Sequence, residues 1–396
     1  MAPAIAGLAR VGGCGDAGSE SPVPGTEAAA VVRWWPRGAI GRRGQRARDD
    51  DGAPGRASQR RRVVPGGRGA RSPTRLDPGT VARVSLLKPP RLRPGDTIAV
   101  VCPAGPVVPI ERIAAGVSRL ESRGYRVKVG RNAAGRHGHL AGTDAARLDD
   151  LNGFLRDPDV RMILAARGGY GTPRLLEGVD YAAVRRDPKW VAGYSDITAL
   201  QMALLAKTGL VTVSGPMAAV EFAAGPDPFT EDHFWRLVTG DPSAWEIRNP
   251  PGRPTVALRS GSAEGVLLGG CLSLVAALVG TPYLPDTGDA LLVLEDIHEH
   301  WHRVDRMLMQ LRLAGRLGGL AGLVLGQFTN CRAAEPGDPG LGLAEIAGEV
   351  AAGTAFPIVA GFDYGHEARK VSLPWGVRAR LDADDGSLRL LESPVA

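Results

Sequence analysis

Ser195 stands in the run Lys189-Trp-Val-Ala-Gly-Tyr-Ser-Asp-Ile-Thr198, whose spacing bears on what its hydroxyl can do. A short apolar stretch, Trp190 to Ala192, stops at Gly193, and helical spacing begins with Ile197, Leu200 and Leu204. The pattern predicts a strand-to-helix corner with a hydroxyl at its apex. Such a corner lifts a side chain clear of a sheet, and the helix amides behind it favour negative charge. A serine nucleophile needs that geometry. The competing reading is that Ser195 only caps the helix, as Ser and Asp often do.

A serine at neutral pH also needs a base to take its proton and a third group to orient that base. The chain has seven histidines. His137 and His139 fall in a Gly-rich loop, His233 in a Pro-rich stretch, and His298, His300 and His302 alternate after a strand. His366 stands alone in Asp363-Tyr-Gly-His366, just past the apolar run Ile358 to Gly361. The third group is Glu295 or its neighbour Asp296, at the end of the apolar strand Leu291–Leu294. An acid there projects from a strand's carboxyl end, where sites of α/β folds collect. Ser195, Glu295 and His366 then follow in the order nucleophile, acid, base.

Developing negative charge on a substrate needs converging N–H groups. Arg167-Gly-Gly-Tyr-Gly171 follows a strand and offers bare backbone, so this turn, with the amide of Asp196, can form an oxyanion hole. A phosphate-binding turn is the alternative, but neither a GxGxxG pattern nor a P-loop Lys is present. The alternating His298, His300 and His302 raise a metal site. Without a clear fourth ligand the expectation is that no metal is bound, and no cofactor is called for.

The elements that must position these residues alternate. Strands are expected at Thr97–Val101, Tyr125–Val129, Val160–Ala166, Trp190–Ala192 and Val211–Ser214, with helices over 110–123, 144–155 and 197–205 between them. Thr143 is the expected cap of the second helix. Alternation of this kind implies a parallel sheet covered on both faces. Six prolines between 226 and 254 weaken the periodicity, so residues 226–262 are read as a linker region, dividing an N-terminal domain (88–225) from a C-terminal one (263–396). The second domain shows strands at Ala290–Glu295 and Ala321–Gln327, helices over 303–316 and 343–352, and short strands at Ile358–Ala360, Val371–Leu373, Ala379–Leu381 and Leu388–Leu391.

The net charge of +6 misleads. Residues 1–85 hold 15 Lys and Arg against 7 Asp and Glu, and the rest of the chain holds 33 against 35. The body therefore gives no electrostatic reason to expect nucleic acid or an anionic membrane surface. Residues 1–85, rich in Gly, Ala, Pro and Arg, lack apolar rhythm and are read as a disordered tail. Two other readings are a nucleic-acid arm with Trp34 and Trp35, and a true start near Val81 or Val84. No apolar stretch approaches the roughly 20 residues of a membrane helix. Four well-separated cysteines, Cys14, Cys102, Cys271 and Cys331, look like free thiols in a reducing compartment, so the body is expected to be cytoplasmic.

From about Lys88 to Leu391 the chain resembles the LD-carboxypeptidases, the muramoyltetrapeptide carboxypeptidases of serine peptidase family S66. The carriers are Arg93–Ile98, Ala165–Gly171, Gly193–Thr198, Gly215-Pro-Met217, Gly265–Leu272, Leu294–Ile297, Arg303–Leu308 and Gly365-His366, in that order. The resemblance implies an N-terminal parallel-sheet α/β domain with helices on both faces and a C-terminal α/β domain with a barrel-like sheet. It also implies a Ser195–His366–Glu295 triad split between them, which favours Glu295 over Asp296, and oxyanion donors at Asp196 and at Gly168 or Gly169. The family removes the terminal D-alanine from murein tetrapeptides through an acyl-enzyme, and it implies a homodimer. Here the sequence departs from the family at Ala104, Cys271 and Ser214, and at Ile297-His-Glu-His-Trp-His302. Tyr170 and Trp301 are the expected substrate-binding side chains. Trp301 keeps open a microcin C self-immunity type of activity on peptidyl-nucleotide conjugates, and a non-catalytic muropeptide-binding protein is the third reading.

Overall fold

The computed structural model describes residues 85–335 and 340–396. The tail expected over 1–85 lies, but for Ser85, outside them.

The first strand, β1 (Thr97–Val101), is buried along its whole length, as an apolar run flanked by helices requires. Chain alternation then gives α1 (Glu111–Ser122), β2 (Arg126–Val129), α2 (Asp144–Arg156), β3 (Val160–Ala165), α3 (Tyr181–Arg186), β4 (Trp190–Ala192), α4 (Ile197–Thr208) and β5 (Thr212–Ser214). Thr143 caps α2 by accepting the Ala146 N–H at 3.2 Å. Strands β2, β1, β3, β4 and β5 run parallel and adjacent in that order.

Residues 226–262 are more than a linker. They hold α5 (Pro228–Thr239), β6 (Glu246–Arg248) and β7 (Val256–Arg259). The prolines that blur the periodicity start elements there. Asp227 caps α5 by accepting the Phe229 N–H, Pro228 takes the first helical position, and Gly240 ends the helix at φ +77°.

The second sheet collects β8 (Ser262–Cys271), β9 (Ala290–Ile297), β10 (Gly322–Thr329) and β11 (Ile358–Ala360), with α6 (Leu272–Ala277), α7 (Trp301–Leu313) and α8 (Leu343–Val350) between them. The chain then makes β12 (Leu373–Trp375), β13 (Arg378–Asp382) and β14 (Ser387–Leu390). The eight strands lie in the order β6-β14-β13-β8-β9-β10-β11-β7, mixed in direction. Its two edge strands, β6 and β7, are joined by residues 249–255 alone. That link reaches at most roughly 29 Å, whereas eight flat strands would put the edges about 34 Å apart. The sheet therefore curls towards a barrel.

Strand β12 leaves this sheet and pairs antiparallel with β5 at the edge of the first one, Leu373 opposite Ser214. It begins two residues later than the sequence predicts, because the N–H groups of Val371 and Ser372 are taken by Asp363 C=O and by His233 Nδ1 on α5. One continuous apolar core runs from Ile98 on β1 through Trp190 and Trp375 to Leu292 and Val324 on the second sheet. No helix among the described residues is long and apolar enough to cross a membrane.

Candidate active site

The corner after β4 is left-handed. Ser195 has φ +63°, a conformation costly for a residue with a Cβ, and it holds the side chain at the turn's apex. Gly193 makes the corner possible. At φ +149°, a Cβ there would sit 3.0 Å from Ile197 and 3.1 Å from Ala165. Ser195 is not the helix cap, since Asp196 takes that position and neither side chain caps the helix. The Asp196 carboxylate is instead buried beneath the turn, where it accepts the Thr172 N–H at 2.8 Å and the Thr172 hydroxyl. Burial pushes that carboxyl up from its ordinary range while the Thr172 bonds pull it back. Ser195 Oγ has no hydrogen-bond partner among the described residues.

The turn after β3 lies against this hydroxyl. A Cβ on Gly168 would stand 2.8 Å from Ser195 Cβ and 3.0 Å from its Oγ, so only glycine leaves the space beside the nucleophile open. Gly168 C=O accepts the Gly105 N–H at 3.2 Å, which orients the peptide linking it to Gly169. Among the described residues, the amides of Gly168, Gly169 and Asp196 make no backbone hydrogen bond.

Glu295 ends the apolar part of β9 and is fully buried. Its Oε2 accepts from His366 Nδ1 at 2.6 Å. A carboxylate only accepts, so Nδ1 carries a hydrogen, and in the neutral imidazole Nε2 is then the nitrogen with the lone pair. The loop bearing His366 follows β11 and is held on both sides. Tyr364 OH pairs with Ser214 Oγ at 2.8 Å, and buried Asp363 accepts from Arg253 Nε at 3.0 Å. Asp296 lines the same cleft as His366 but does not bond it. Its carboxylate accepts the Ser273 and Ile297 N–H groups at 2.8 Å each, and burial pushes its carboxyl up. Cys271, beside it, is buried and its thiol is pushed well above the ordinary range by that burial.

Ser195, His366, Gly168, Gly169 and Tyr170 all line one cleft of about 550 Å³. Tyr170 is 71% exposed and marks its mouth. Arg112 and Arg167 line it too, and neither has a carboxylate partner among the described residues. Trp301 does not join this lining. Its ring lies 6.4 Å from that of Phe328, beside a separate cavity of about 220 Å³ with His302 and Asp305. Starting α7, it is turned to the packing side of that helix. His300 and His302 stack on each other and His298 meets Asn330 at 3.1 Å. No three His, Cys, Asp or Glu side chains among the described residues gather as metal ligands.

Sequence reasoning left out Arg112, which reaches the cleft from the start of α1 by hydrogen-bonding Ala219 C=O at 2.7 Å. It also left out a buried group next to His366. Tyr194 OH donates to Glu221 Oε1 at 2.8 Å, and Lys370 Nζ reaches the same oxygen at 2.7 Å. Burial, then Glu221, pushes the Tyr194 phenol well above its ordinary range. A Lys and a Glu 149 residues apart in sequence carry no spacing signal.

The family model described as the LD-carboxypeptidase N-terminal domain matches residues 98–215, and that of the LD-carboxypeptidase C-terminal domain matches 264–381. The chain is 36% identical over 296 residues to the Bacillus subtilis (strain 168) protein named "Probable murein peptide carboxypeptidase", covering 74% of this chain and 91% of that one. Among solved structures it is similar to the muramoyltetrapeptide carboxypeptidase of Oxalobacter formigenes, with 34% identity, a TM-score of 0.64, and coverage of 74% and 97%. It is also similar to the microcin C7 self-immunity protein MccF, with 26% identity, a TM-score of 0.72, and coverage of 78% and 100%.

Proposed function

The chain belongs to the LD-carboxypeptidase family, peptidase S66, and on that premise we propose that it removes the terminal D-alanine from murein tetrapeptides. The observation that carries the reading is the 2.6 Å bond between buried Glu295 and His366, in a cleft shared with a left-handed Ser195. His366 Nε2 takes the Ser195 proton as Oγ attacks the carbonyl of the residue before D-alanine. The amides of Asp196 and of Gly168 or Gly169 receive the developing oxyanion. His366 then protonates the leaving amine, and the same ring later activates the water that frees the acyl group. Ser195 and His366 are not yet hydrogen-bonded, as is common before substrate enters.

The substrate's terminal carboxylate needs a cation, and Arg112 and Arg167 are the unpaired ones in the cleft. Tyr170 closes over the peptide at the mouth. Action on peptidyl-nucleotide conjugates would draw on stacking by Trp301, which packs away from the cleft, so the murein peptide reading is preferred. The same proposal places the enzyme in murein recycling in the cytoplasm, as a homodimer. The free thiols of Cys102, Cys271 and Cys331 suit a reducing compartment.

Mass spectrometry of defined tetrapeptides gives the test. Wild type is expected to release D-alanine, and Ser195→Ala to lose at least about 10⁴-fold in kcat. Full activity in Ser195→Ala would end the serine mechanism, and tight binding without turnover by wild type would make the protein a muropeptide binder.

A further inference from the structure

Glu295 fixes only one atom of the His366 ring. A single hydrogen bond at Nδ1 leaves the imidazole free to swing about that bond, and the direction of Nε2 swings with it. The nucleophile lies on the other domain, on the corner between β4 and α4. Its distance from the base therefore depends on how the two domains are registered, and something besides Glu295 must set that register. The ring of Tyr194, the immediate neighbour of Ser195, meets that of His366 edge-on, with centroids 5.1 Å apart and planes at 70°.

Tyr194 is itself clamped on two sides. Its hydroxyl donates to Glu221 Oε1, and Lys370 Nζ sits 3.9 Å over its ring face. Lys370 and Glu221 are 2% and 8% exposed, and 2.7 Å apart. The other Glu221 oxygen accepts the Met217 N–H at 2.9 Å, which ties the carboxylate to the backbone beyond β5. Lys370 comes four residues after His366 on the same segment, and its own N–H donates to Thr230 Oγ1 on α5 at 2.8 Å. The pair thus joins the segment carrying the base to the domain carrying the nucleophile, with the Tyr194 ring held against it. A buried ion pair is weak evidence for stability, because desolvation cancels most of its attraction. Its use here is geometric.

We infer that Tyr194, clamped by the buried Lys370–Glu221 pair, is the positioning residue that holds His366 against Ser195. This rests on the catalytic reading of Ser195, Glu295 and His366. The clamp restricts the ring to the one swing in which Nε2 faces the hydroxyl, and misplacement on the ångström scale costs about 10- to 100-fold in rate. It acts on chemistry and not on substrate affinity.

The test uses the full-length protein, with tetrapeptide kinetics and the far-downfield proton resonance of a histidine Nδ1–H held by a carboxylate. Lys370→Met should lower kcat by about tenfold or more, leave KM within about threefold, and broaden that resonance. Lys370→Arg should recover most of the loss. If Lys370→Met does not fold, the double variant Lys370→Met/Glu221→Gln, which buries no unpaired charge, carries the same expectation. Tyr194→Phe keeps the ring but frees it from Glu221, and should lose kcat to a smaller degree. A folded double variant with wild-type kcat and an unchanged resonance would overturn the clamp. A wild-type protein lacking the resonance would instead overturn the Glu295–His366 reading beneath it.

Discussion

The corner at Ser195 and the pair formed by Glu295 and His366 are held in place by opposite means. The corner is local. Residues 190–197 build it, its cost is backbone strain at one serine, and neighbouring glycines remove atoms so that it can form. The acid and base come from the end of β9 and the loop after β11, 71 positions apart, and join through one hydrogen bond that burial strengthens. One half of the site is therefore vulnerable to an added atom, and the other to a removed charge.

The sharpest way to break the second half is Glu295→Gln. Glu295 Oε1 is buried with no hydrogen-bond partner among the described residues. An amide NH₂ placed there would find nothing to accept from it, so the side chain flips and donates to His366 Nδ1. The imidazole then carries its hydrogen on Nε2 and cannot take the serine proton. The expected loss is about 10⁴-fold in kcat with little change in KM, measured on the tetrapeptide. Retention of more than about a tenth of the activity would show that tautomer control is not what Glu295 supplies.

The first half breaks by addition. Gly168→Ala introduces a methyl 2.8 Å from Ser195 Cβ, attached to backbone that cannot rotate away. Either the serine turns or the glycine amides shift, and the expected loss is about 10²-fold in kcat with the fold intact by circular dichroism. Activity close to wild type would mean that the turn after β3 is pliable, and the contrast between a strained corner and a buried pair would weaken.

That contrast also explains what the sequence could say. The corner was legible because its cause is local: an apolar stretch, a glycine and a helical rhythm lie within one turn of each other. Glu295 was legible only as a strand end, with Asp296 equally placed, until the family resemblance separated them. Pairing with His366 needs the third dimension, as does the Lys370–Glu221 pair, whose members meet only because β12 returns to β5. The prolines between 226 and 254 misled for a physical reason. Proline marks both a break and the first position of a helix, and near Pro228 it is the second. Trp301 misled because an aromatic near a site motif reads the same whether it faces a cleft or packs under a helix.

The smallest effect on catalysis is expected where the two regions are sewn together. His233 on α5 accepts the Ser372 N–H at 3.0 Å, next to the strand that carries the C-terminal chain back to the nucleophile's sheet. Burial pushes its imidazole down to about 4 from an ordinary 6.5. Between those values the unfolded chain holds the proton and the folded one does not, so stability rises with pH across that window. The contribution is fully present above about 6.5 and is lost as pH falls towards 4, an order of about 3 kcal/mol in all. Thermal melts at pH 7.5 and pH 4.5 should show the loss, and His233→Asn, whose Oδ1 can still accept the Ser372 N–H, should flatten it. A variant that melts with the wild-type pH dependence would show that the acid sensitivity does not arise at His233, and the seam between the two regions would then hold independently of that imidazole's charge.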